Sequence, residues 1–226
     1  IGNGGSDIEI NLAGNFVYQN NILNGAEIKA GRGVDNLSVS VDASGGNLEM
    51  FFGMAGGSVS LGAGNDSFTI DFATSRLDSN GNQVTHDANG NPYSIATSGG
   101  RIDLGDGDDS VRFHSLGIGV QRTDIDLGTG ADTLEITSRL GALINANLYA
   151  GSGRDSIRIT STNSNQHALV DSTVSMGLGD DFASISSSRN STIDMDEGHD
   201  TLELPGNSSE YTIEELQGSS VLVKKS

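Results

Sequence analysis

The sequence predicts an all-β chain that folds as a right-handed parallel β-solenoid, a β-roll or β-helix with coils of about 23 residues. Three observations predict this fold. A turn of the form Gly-x-Gly-x-Asp recurs six times, and a seventh copy has Asp196 in place of the first glycine. Alternating apolar residues flank each copy, and two successive steps between copies are 23 residues long. Alternation with period two indicates half-buried strands, and a repeat in fixed phase is typical of a solenoid.

One coil is predicted to consist of a strand, a Gly-x-Gly-x-Asp turn (the Gly-Asp turn), a second strand and a return segment. Residues 125–127 (Ile-Asp-Leu) illustrate the strand before a turn, and residues 134–136 (Leu-Glu-Ile) illustrate the strand after it. The return segments carry further apolar residues, such as Leu143 and Leu169, which predict a third short inward row. The sequence leaves a two-sided and a three-sided cross-section open.

The ends and one long step depart from the repeat. Residues 1–204 are predicted to form the solenoid, and residues 205–226 a C-terminal β-hairpin that caps it. Residues 72–99 are predicted to be an insertion with two Asn-Gly turns, which favour hairpins over separate calcium loops. Residues 1–10 form a degenerate copy in which Asp7 is displaced by one position. Because the chain begins at Ile1, we expect it to be a fragment or a processed piece.

Composition narrows the classes of partner. The formal net charge of −18 opposes binding to nucleic acid or to an anionic membrane surface and favours cations. The chain has no cysteine, which excludes disulfides and thiolate metal sites. No apolar run approaches the length of a transmembrane helix, so we expect no membrane insertion. With 35% apolar residues and no Trp, a thin aliphatic core is expected.

Stacking the turns in phase would place their Asp residues in a column. Coils of a parallel stack are about 4.8 Å apart, and at an effective dielectric of about 20 each neighbouring pair of carboxylates repels by about 3–4 kcal/mol. Arg32 and Arg154 are the only basic residues within the turns, so a divalent cation is the expected counter-charge. Oxygen ligands suit Ca²⁺ better than Mg²⁺, and the turns lack the Cys and His ligands of zinc apart from His199.

The sequence therefore predicts several Ca²⁺ ions, up to about six between seven turns. The predicted ligands are seven carboxylates and the backbone oxygens of the turn glycines: Asp35, Asp66, Asp109, Asp132, Asp155, Asp181 and Asp200, with Gly31, Gly33, Gly62, Gly64, Gly105, Gly107, Gly128, Gly130, Gly151, Gly153, Gly177, Gly179 and Gly198. The competing interpretation is a tight turn in which Asp only accepts backbone N–H bonds. The additional acids Asp106, Asp108 and Asp180 are expected to be solvated.

The motif Gly-x-Gly-x-Asp, followed by alternating apolar residues, resembles the repeats-in-toxin nonapeptide, the haemolysin-type calcium-binding repeat of secreted bacterial proteins. This resemblance covers residues 30–204 and implies a parallel β-roll that folds on calcium, with ions between stacked turns. Two features differ from the family pattern. The leading glycine is replaced, for example by Leu127, and the motif occurs once per coil rather than every nine residues, so calcium is expected along one edge only. Asp196 in place of the first glycine puts the last site in doubt.

The sequence gives little indication of catalysis, and the chain is predicted not to be an enzyme. The four histidines share no motif, and no nucleophile elbow or phosphate loop is present. Asp103 and Asp126, expected to point outward on neighbouring coils, are the only candidates for a glycosidase-like acid pair.

The predicted function is that of a secreted or cell-surface calcium-dependent structural or adhesive module, as in a surface layer, an adhesin or a fibre. Its predicted partners are calcium ions, with other copies of itself or cell-surface glycans as further candidates. The alternatives are a C-terminal accessory or secretion module of a secreted enzyme and a segment of a phage tail fibre.

Overall fold

The structure is a computed structural model of the chain. It describes residues 4–13, 20–42, 51–72, 76–77, 83–84, 94–206, 211–215 and 221–225. Twenty-two strands form three parallel sheets in which neighbouring strands come from successive coils. The parallel β-solenoid predicted by the sequence is confirmed, and the cross-section that the sequence left open has three sheets.

The first sheet contains the strands that follow the Gly-Asp turns. Its eight strands, in spatial order, are β1 (Asp7–Ala13), β4 (Asn36–Asp42), β7 (Ser67–Phe72), β12 (Ser110–Ser115), β15 (Thr133–Ser138), β18 (Ser156–Ser161), β21 (Phe182–Ile185) and β24 (Thr201–Glu203).

The second sheet contains the return segments. Its seven strands are β2 (Asn20–Asn24), β5 (Phe51–Ala55), β10 (Ser94–Ser98), β13 (Ile118–Gln121), β16 (Gly141–Ile144), β19 (Leu169–Val170) and β22 (Ser188–Arg189).

The third sheet contains the strands that precede the Gly-Asp turns. Its seven strands are β3 (Glu27–Lys29), β6 (Ser58–Ala63), β11 (Arg101–Asp106), β14 (Asp124–Asp126), β17 (Asn147–Tyr149), β20 (Thr173–Ser175) and β23 (Thr192–Asp194). Each complete coil therefore contributes one strand to each sheet.

The core consists of columns of apolar side chains in register. On the first sheet, Val111 pairs with Leu134 and Phe113 pairs with Ile136, and all four side chains are buried. Phe113 also packs edge-on against Phe68 of the preceding coil, with ring centroids 5.1 Å apart. The alternation read from the sequence thus places the predicted inward residues inside the solenoid.

Small residues allow the second sheet to lie close to the first. A Cβ added to Gly119 would stand 2.6 Å from Cγ2 of Ile136, and one added to Gly53 would stand 2.9 Å from Cγ2 of Ile70. The buried Ala96 and Ala142 belong to the same central row of the second sheet. The core between these two sheets is accordingly one layer of large side chains thick.

Two further strand pairs lie outside the three sheets. β8 (Arg76–Leu77) pairs antiparallel with β9 (Gln83–Val84) inside the predicted insertion, and β10, which starts at Ser94, already belongs to the second sheet. β25 (Tyr211–Glu215) pairs antiparallel with β26 (Val221–Lys225) in the predicted C-terminal hairpin. Both Asn-Gly turns, at residues 80–81 and 89–90, lie outside the described residues.

Candidate metal centre

The Gly-Asp turns connect the third sheet of one coil to the first sheet of the next, and they stack in register. Parallel bridges link Asp106 to Thr129, Thr129 to Ser152, and Ser152 to Leu178, which occupy the same position in successive turns. Since both neighbouring sheets are also in register, all seven turns lie along one edge of the solenoid. This is the edge at which the sequence predicted the calcium ligands.

Glycine is required in the turn because both glycines adopt positive φ and successive turns are in close contact. Gly128 has φ +104° and Gly130 has φ +135°. A Cβ on Gly130 would collide with the carbonyl oxygen of Gly107 in the preceding turn, and the equivalent collision recurs along the stack. The spacing of the glycines is therefore a requirement of stacking as well as of turn formation.

The carboxylates of the turns are inside the protein rather than on its edge. Asp132 is 0% exposed, and five others are 1–2% exposed: Asp35, Asp66, Asp109, Asp155 and Asp181. Carboxylates on the surface would be screened by water and salt, whereas buried carboxylates are screened much less. Burial therefore strengthens the need for a counter-charge or a proton.

One oxygen of nearly every carboxylate accepts a backbone hydrogen bond from the preceding coil. The N–H of Asp109 donates to Oδ1 of Asp132 at 2.7 Å, and the N–H of Asp132 donates to Oδ1 of Asp155 at 2.8 Å. The same bond recurs along the whole column at 2.6–2.9 Å, with Oδ1 of Asp66, Asp109, Asp181 and Asp200 as the other acceptors. The hydrogen-bonding interpretation of the Asp residues is thus correct for one of their two oxygens.

The second oxygen has no partner. Oδ2 of Asp132 is buried without a hydrogen bond from any described residue, and the same holds for Oδ2 of Asp66, Asp109, Asp155 and Asp181. Both carboxylate oxygens of Asp35 are buried without a described hydrogen-bond partner. No described backbone N–H of the preceding coil donates to its Oδ1, as happens at the later turns. A buried carboxylate oxygen without a partner carries a large desolvation cost, which protonation or a bound cation would remove.

Burial also shifts the titration of the column. Removal from water raises the pKa of Asp132 to about 7; the N–H of Asp109 lowers it in part, and the carboxylates of Asp155 and Asp109 raise it further. The pKa of Asp109 and of Asp155 is raised to about 6, again mainly by burial. The pKa of Asp66 and of Asp181 is raised for the same reason. Without a cation, Asp132 would therefore be partly protonated at neutral pH, and Asp109 and Asp155 would be protonated at mildly acidic pH.

The turn glycines divide into two groups. The carbonyl oxygens of the first glycines point along the stack and accept N–H bonds from the next turn, as from Ser152 to Gly128 at 3.1 Å and from Thr129 to Gly105 at 2.8 Å. The carbonyl oxygens of the second glycines lie directly against the second glycine of the next turn. A hydrogen-bonded carbonyl of the first group retains a second lone pair for a cation.

The candidate donors in the column are all oxygen atoms. No group of three or more His, Cys, Asp or Glu side chains comes together as a metal cluster in the part of the chain that the structure describes. A cation in the column would therefore be held by the free Oδ2 atoms, with turn carbonyls and water completing its shell. Ca²⁺ takes six to eight oxygen ligands in flexible geometry, whereas Mg²⁺ demands near-ideal octahedral geometry and keeps several of its waters.

The column changes at both ends. Asp200 is only partly buried. Asp196 has φ +55° and reaches back to the preceding coil, where its Oδ2 accepts bonds from Ser175 Oγ at 2.6 Å and from the N–H of Gly177 at 3.0 Å. Asp7 is paired with Asn36 instead of Asp35, as the displaced motif predicted, and it is exposed.

A second row of side-chain acceptors was not predicted. Asn65 Oδ1 accepts the N–H of Asp108 at 3.1 Å, and Asp108 Oδ1 accepts the N–H of Ala131 at 2.8 Å. Asp180 Oδ1 accepts the N–H of His199 at 3.0 Å. These side chains are exposed, as expected of the additional acids. They accept hydrogen bonds from the next turn, whereas the buried Asp side chains accept them from the preceding turn. The sequence feature that marks this row is an Asn or Asp immediately before the Asp of the Gly-Asp turn.

The remaining acidic candidates are engaged in ion pairs. Arg101 lies between Asp126, at 3.0 Å, and Asp103, at 3.6 Å, so the only candidate acid pair is bridged by a guanidinium group. On the first sheet, Arg112 pairs with Glu135 at 3.6 Å and Arg158 pairs with Glu203 at 3.9 Å. Exposed pairs of this kind contribute only about 0–1 kcal/mol each.

The fold and the column define a class of protein, a three-sheet parallel β-solenoid with a buried column of carboxylates at one corner. Comparisons with models of known protein families, with curated proteins and with solved structures found no match to this chain. None of the described residues forms a helix that is long and apolar enough to cross a membrane.

Proposed function

We propose that this chain is a calcium-dependent structural module, a rod whose folded state requires Ca²⁺ in the column of buried Asp residues. The observation that carries the proposal is the row of buried Oδ2 atoms without hydrogen-bond partners. Backbone N–H groups alone would explain a column in which both oxygens are satisfied. They do not explain a column in which one oxygen per carboxylate is left without a partner in every interior turn.

Electrostatics supports the same proposal. The column concentrates like charges within a chain of net charge −18, and the turns provide little compensation from basic side chains. Divalent cations bound between neighbouring coils would replace this repulsion with attraction. The free energy of calcium binding would then be part of the free energy of folding.

A secreted or cell-surface location follows from this coupling. Where calcium is scarce, the charged chain would remain unfolded, and at millimolar extracellular calcium it would fold into a rigid rod. A mechanical or adhesive role, rather than a catalytic one, is also supported by the acid pair Asp103 and Asp126, which Arg101 occupies.

The test is circular dichroism of the metal-free chain at neutral pH. We expect excess chelator to abolish most of the β-sheet signal, and added Ca²⁺ to restore it with a saturable midpoint. Mg²⁺ should restore much less, because it keeps its water shell and demands octahedral geometry. An identical β-sheet signal and melting temperature in chelator and in calcium would contradict the proposal.

A further inference from the structure

Both ends of the solenoid are open sheet edges. β1, β2 and β3 are the first strands of the three sheets, and β24, β22 and β23 are the last. Within the described part of the chain, no strand pairs with the outer side of any of these six, and the hairpin β25–β26 pairs only with itself. Strands at the edge of a sheet direct unpaired N–H and C=O groups outward. Each end therefore presents three rows of backbone groups with which the strands of another coil could pair.

The apolar core is open at both ends as well. One inward row of the first sheet runs from Ile8 to Leu202, and the equivalent row of the third sheet runs from Ile28 to Ile193. The interior residues of both rows are at most 2% exposed, whereas the terminal residues are only partly buried. Solenoids that are soluble as single units carry terminal repeats with a polar outer face. The terminal coils of this chain instead keep large apolar residues at the positions that a further coil would cover.

The two ends match each other in register. When the sheets are extended by one coil, the last coil of one copy takes the place before the first coil of another. Leu202 then lies beside Ile8, and Ile193 lies beside Ile28, in the way that successive coils pair inside the solenoid. In both rows an apolar side chain covers an apolar side chain, and the strand edges gain partners. A second copy of this chain therefore fits the end as a continuation of the contacts between its own coils.

The charges at the two ends are compatible. Asp194 of one copy would adjoin Lys29 of the other, whose side chain is 68% exposed. Glu203 would adjoin Glu9, but Arg158 already pairs with Glu203 at 3.9 Å. Contact at the ends also keeps most of the net charge of −18 on the two copies further apart than about 8 Å, the distance over which physiological salt screens it. Contact along the sides of the rod would bring much more of this charge together.

We propose that this chain assembles head to tail, with the last coil of one copy stacked on the first coil of the next, so that the three sheets continue from copy to copy. Such an interface leaves one end of each kind free and generates an open filament. The Asp column stops at the junction, because Ser6 stands at the Asp position of the first turn. Its carbonyl accepts the N–H of Asn36 at 2.8 Å, as the carbonyl of Asp35 accepts that of Ser67. This assembly rests on the proposed function only in requiring a folded chain.

The test measures the molar mass of the full chain by sedimentation velocity over a range of concentrations, at one saturating concentration of calcium. We expect the mean mass of wild type to rise steadily with concentration, because each added copy leaves an end free. Ile8→Asp at the first coil and Leu202→Asp at the last coil should each weaken association about tenfold or more, because each buries an uncompensated charge at the junction. Gln166→Asp adds the same charge to an exposed loop of an interior coil and should change association by no more than about twofold.

A mixture of variants separates head-to-tail stacking from other modes of association. Ile8→Asp keeps an intact last coil, and Leu202→Asp keeps an intact first coil. An equimolar mixture of the two should therefore form a one-to-one dimer and nothing longer. Exchange of exposed charges gives a second test that leaves the core untouched. Lys29→Asp and Asp194→Lys should each weaken assembly, and the two changes combined in one chain should restore part of it.

Circular dichroism in calcium checks that each variant retains the β-sheet signal. A wild type that stays monomeric at every concentration would overturn the proposal and would mean that an end is covered, as by the C-terminal hairpin. Assembly of Ile8→Asp or Leu202→Asp equal to that of Gln166→Asp would also overturn it, as would a mixture that forms no dimer. None of these results bears on the calcium column, because calcium is constant in every arm.

Discussion

At the scale of single residues, the two oxygens of each buried Asp have different roles. Oδ1 accepts a backbone N–H from the preceding coil, as Oδ1 of Asp132 does from Asp109. At the corner of the coil it therefore takes the role that a backbone carbonyl has within a sheet. Oδ2 is left for a proton or a cation. The sequence predicted which residues form the column because the motif fixes their phase. It did not reveal the division of roles, which depends on the register between coils that are distant in sequence.

The raised pKa values give a prediction for the chain in chelator. The pKa of Asp132 is raised to about 7 and that of Asp109 and Asp155 to about 6, whereas the ordinary value is 3.8. Between these values the folded chain binds more protons than the unfolded chain, so its unfolding free energy falls as pH rises. We expect the urea midpoint in chelator to drop steadily between about pH 4 and pH 7, until at neutral pH the chain in chelator is mostly unfolded even without urea.

Calcium should oppose this trend, because the ion binds the deprotonated carboxylates. The measurement is a series of urea unfolding curves across the pH range, with and without calcium. A midpoint in chelator that rises with pH through this window would show that the buried carboxylates are not protonated in the metal-free fold.

At the scale of the turn, close stacking gives a prediction for the second glycine. Gly130→Ala would bring a Cβ against the carbonyl of Gly107, in addition to the positive φ. We expect a loss of about 3 kcal/mol or more in unfolding free energy, from backbone strain and overpacking together.

Gly99→Ala is the matched control for this variant. Gly99 also has positive φ, but its Cβ would meet nothing closer than 3.8 Å, and Arg122 and Asn145 occupy the equivalent corner in the next coils with φ near 50°. The control should lose only about 1 kcal/mol. Equal losses in the two variants would mean that the stacking contact is not what excludes side chains from the turn.

The position of a turn in the stack gives a third prediction, for the calcium midpoint of folding. Asp132 has regular neighbours on both sides and is fully buried, whereas Asp200 is partly buried in the last turn. Stability in a solenoid is close to a sum of nearest-neighbour terms, so an interior defect affects two interfaces and a terminal one affects a single interface. We expect Asp132→Asn to raise the calcium midpoint clearly and Asp200→Asn to raise it slightly.

Calcium titrations followed by circular dichroism measure both midpoints. If the two variants shifted equally, or if Asp200→Asn shifted more, the ions would not be shared between stacked turns.

At the scale of the whole molecule, the sequence predicted the strands, the turns and the stacking direction because period-two alternation and a fixed step define them. It could not choose between two and three sides. The return segments carry residues such as Val120 and Leu143 at spacings that fit either cross-section. The structure shows that small residues, such as Gly119 opposite Ile136, bring the second sheet close to the first. Contacts of this kind depend on how two sheets pack together, and no local pattern in the sequence predicts that packing.

The sequence pattern also did not predict which charged residues form ion pairs. Arg101 reaches Asp126 across one coil, and Arg158 reaches Glu203 across two. Arg112, Glu135 and Arg158 lie in register on the first sheet with alternating signs, and Arg112 pairs with Glu135.

The central claim is that the column of buried Asp residues binds a cation, and substitution by Asn separates this claim from a purely hydrogen-bonded column. Asn keeps Oδ1 as an acceptor for the N–H of Asp109 and removes the charge. In chelator at about pH 8, where wild type should be mostly unfolded, Asp132→Asn should retain more β-sheet signal, because its folded state gains about 1–3 kcal/mol when no uncompensated carboxylate is buried.

In millimolar calcium the same substitution should be destabilising by about 2–4 kcal/mol, because it weakens the sites on both sides of the turn. The decisive measurement is therefore the folded fraction of wild type and Asp132→Asn by circular dichroism in chelator, together with their unfolding free energies in urea in calcium at the same pH. The account predicts that the difference between the two proteins reverses sign when calcium is added. A variant that is at least as stable as wild type under both conditions would show that the column holds no cation.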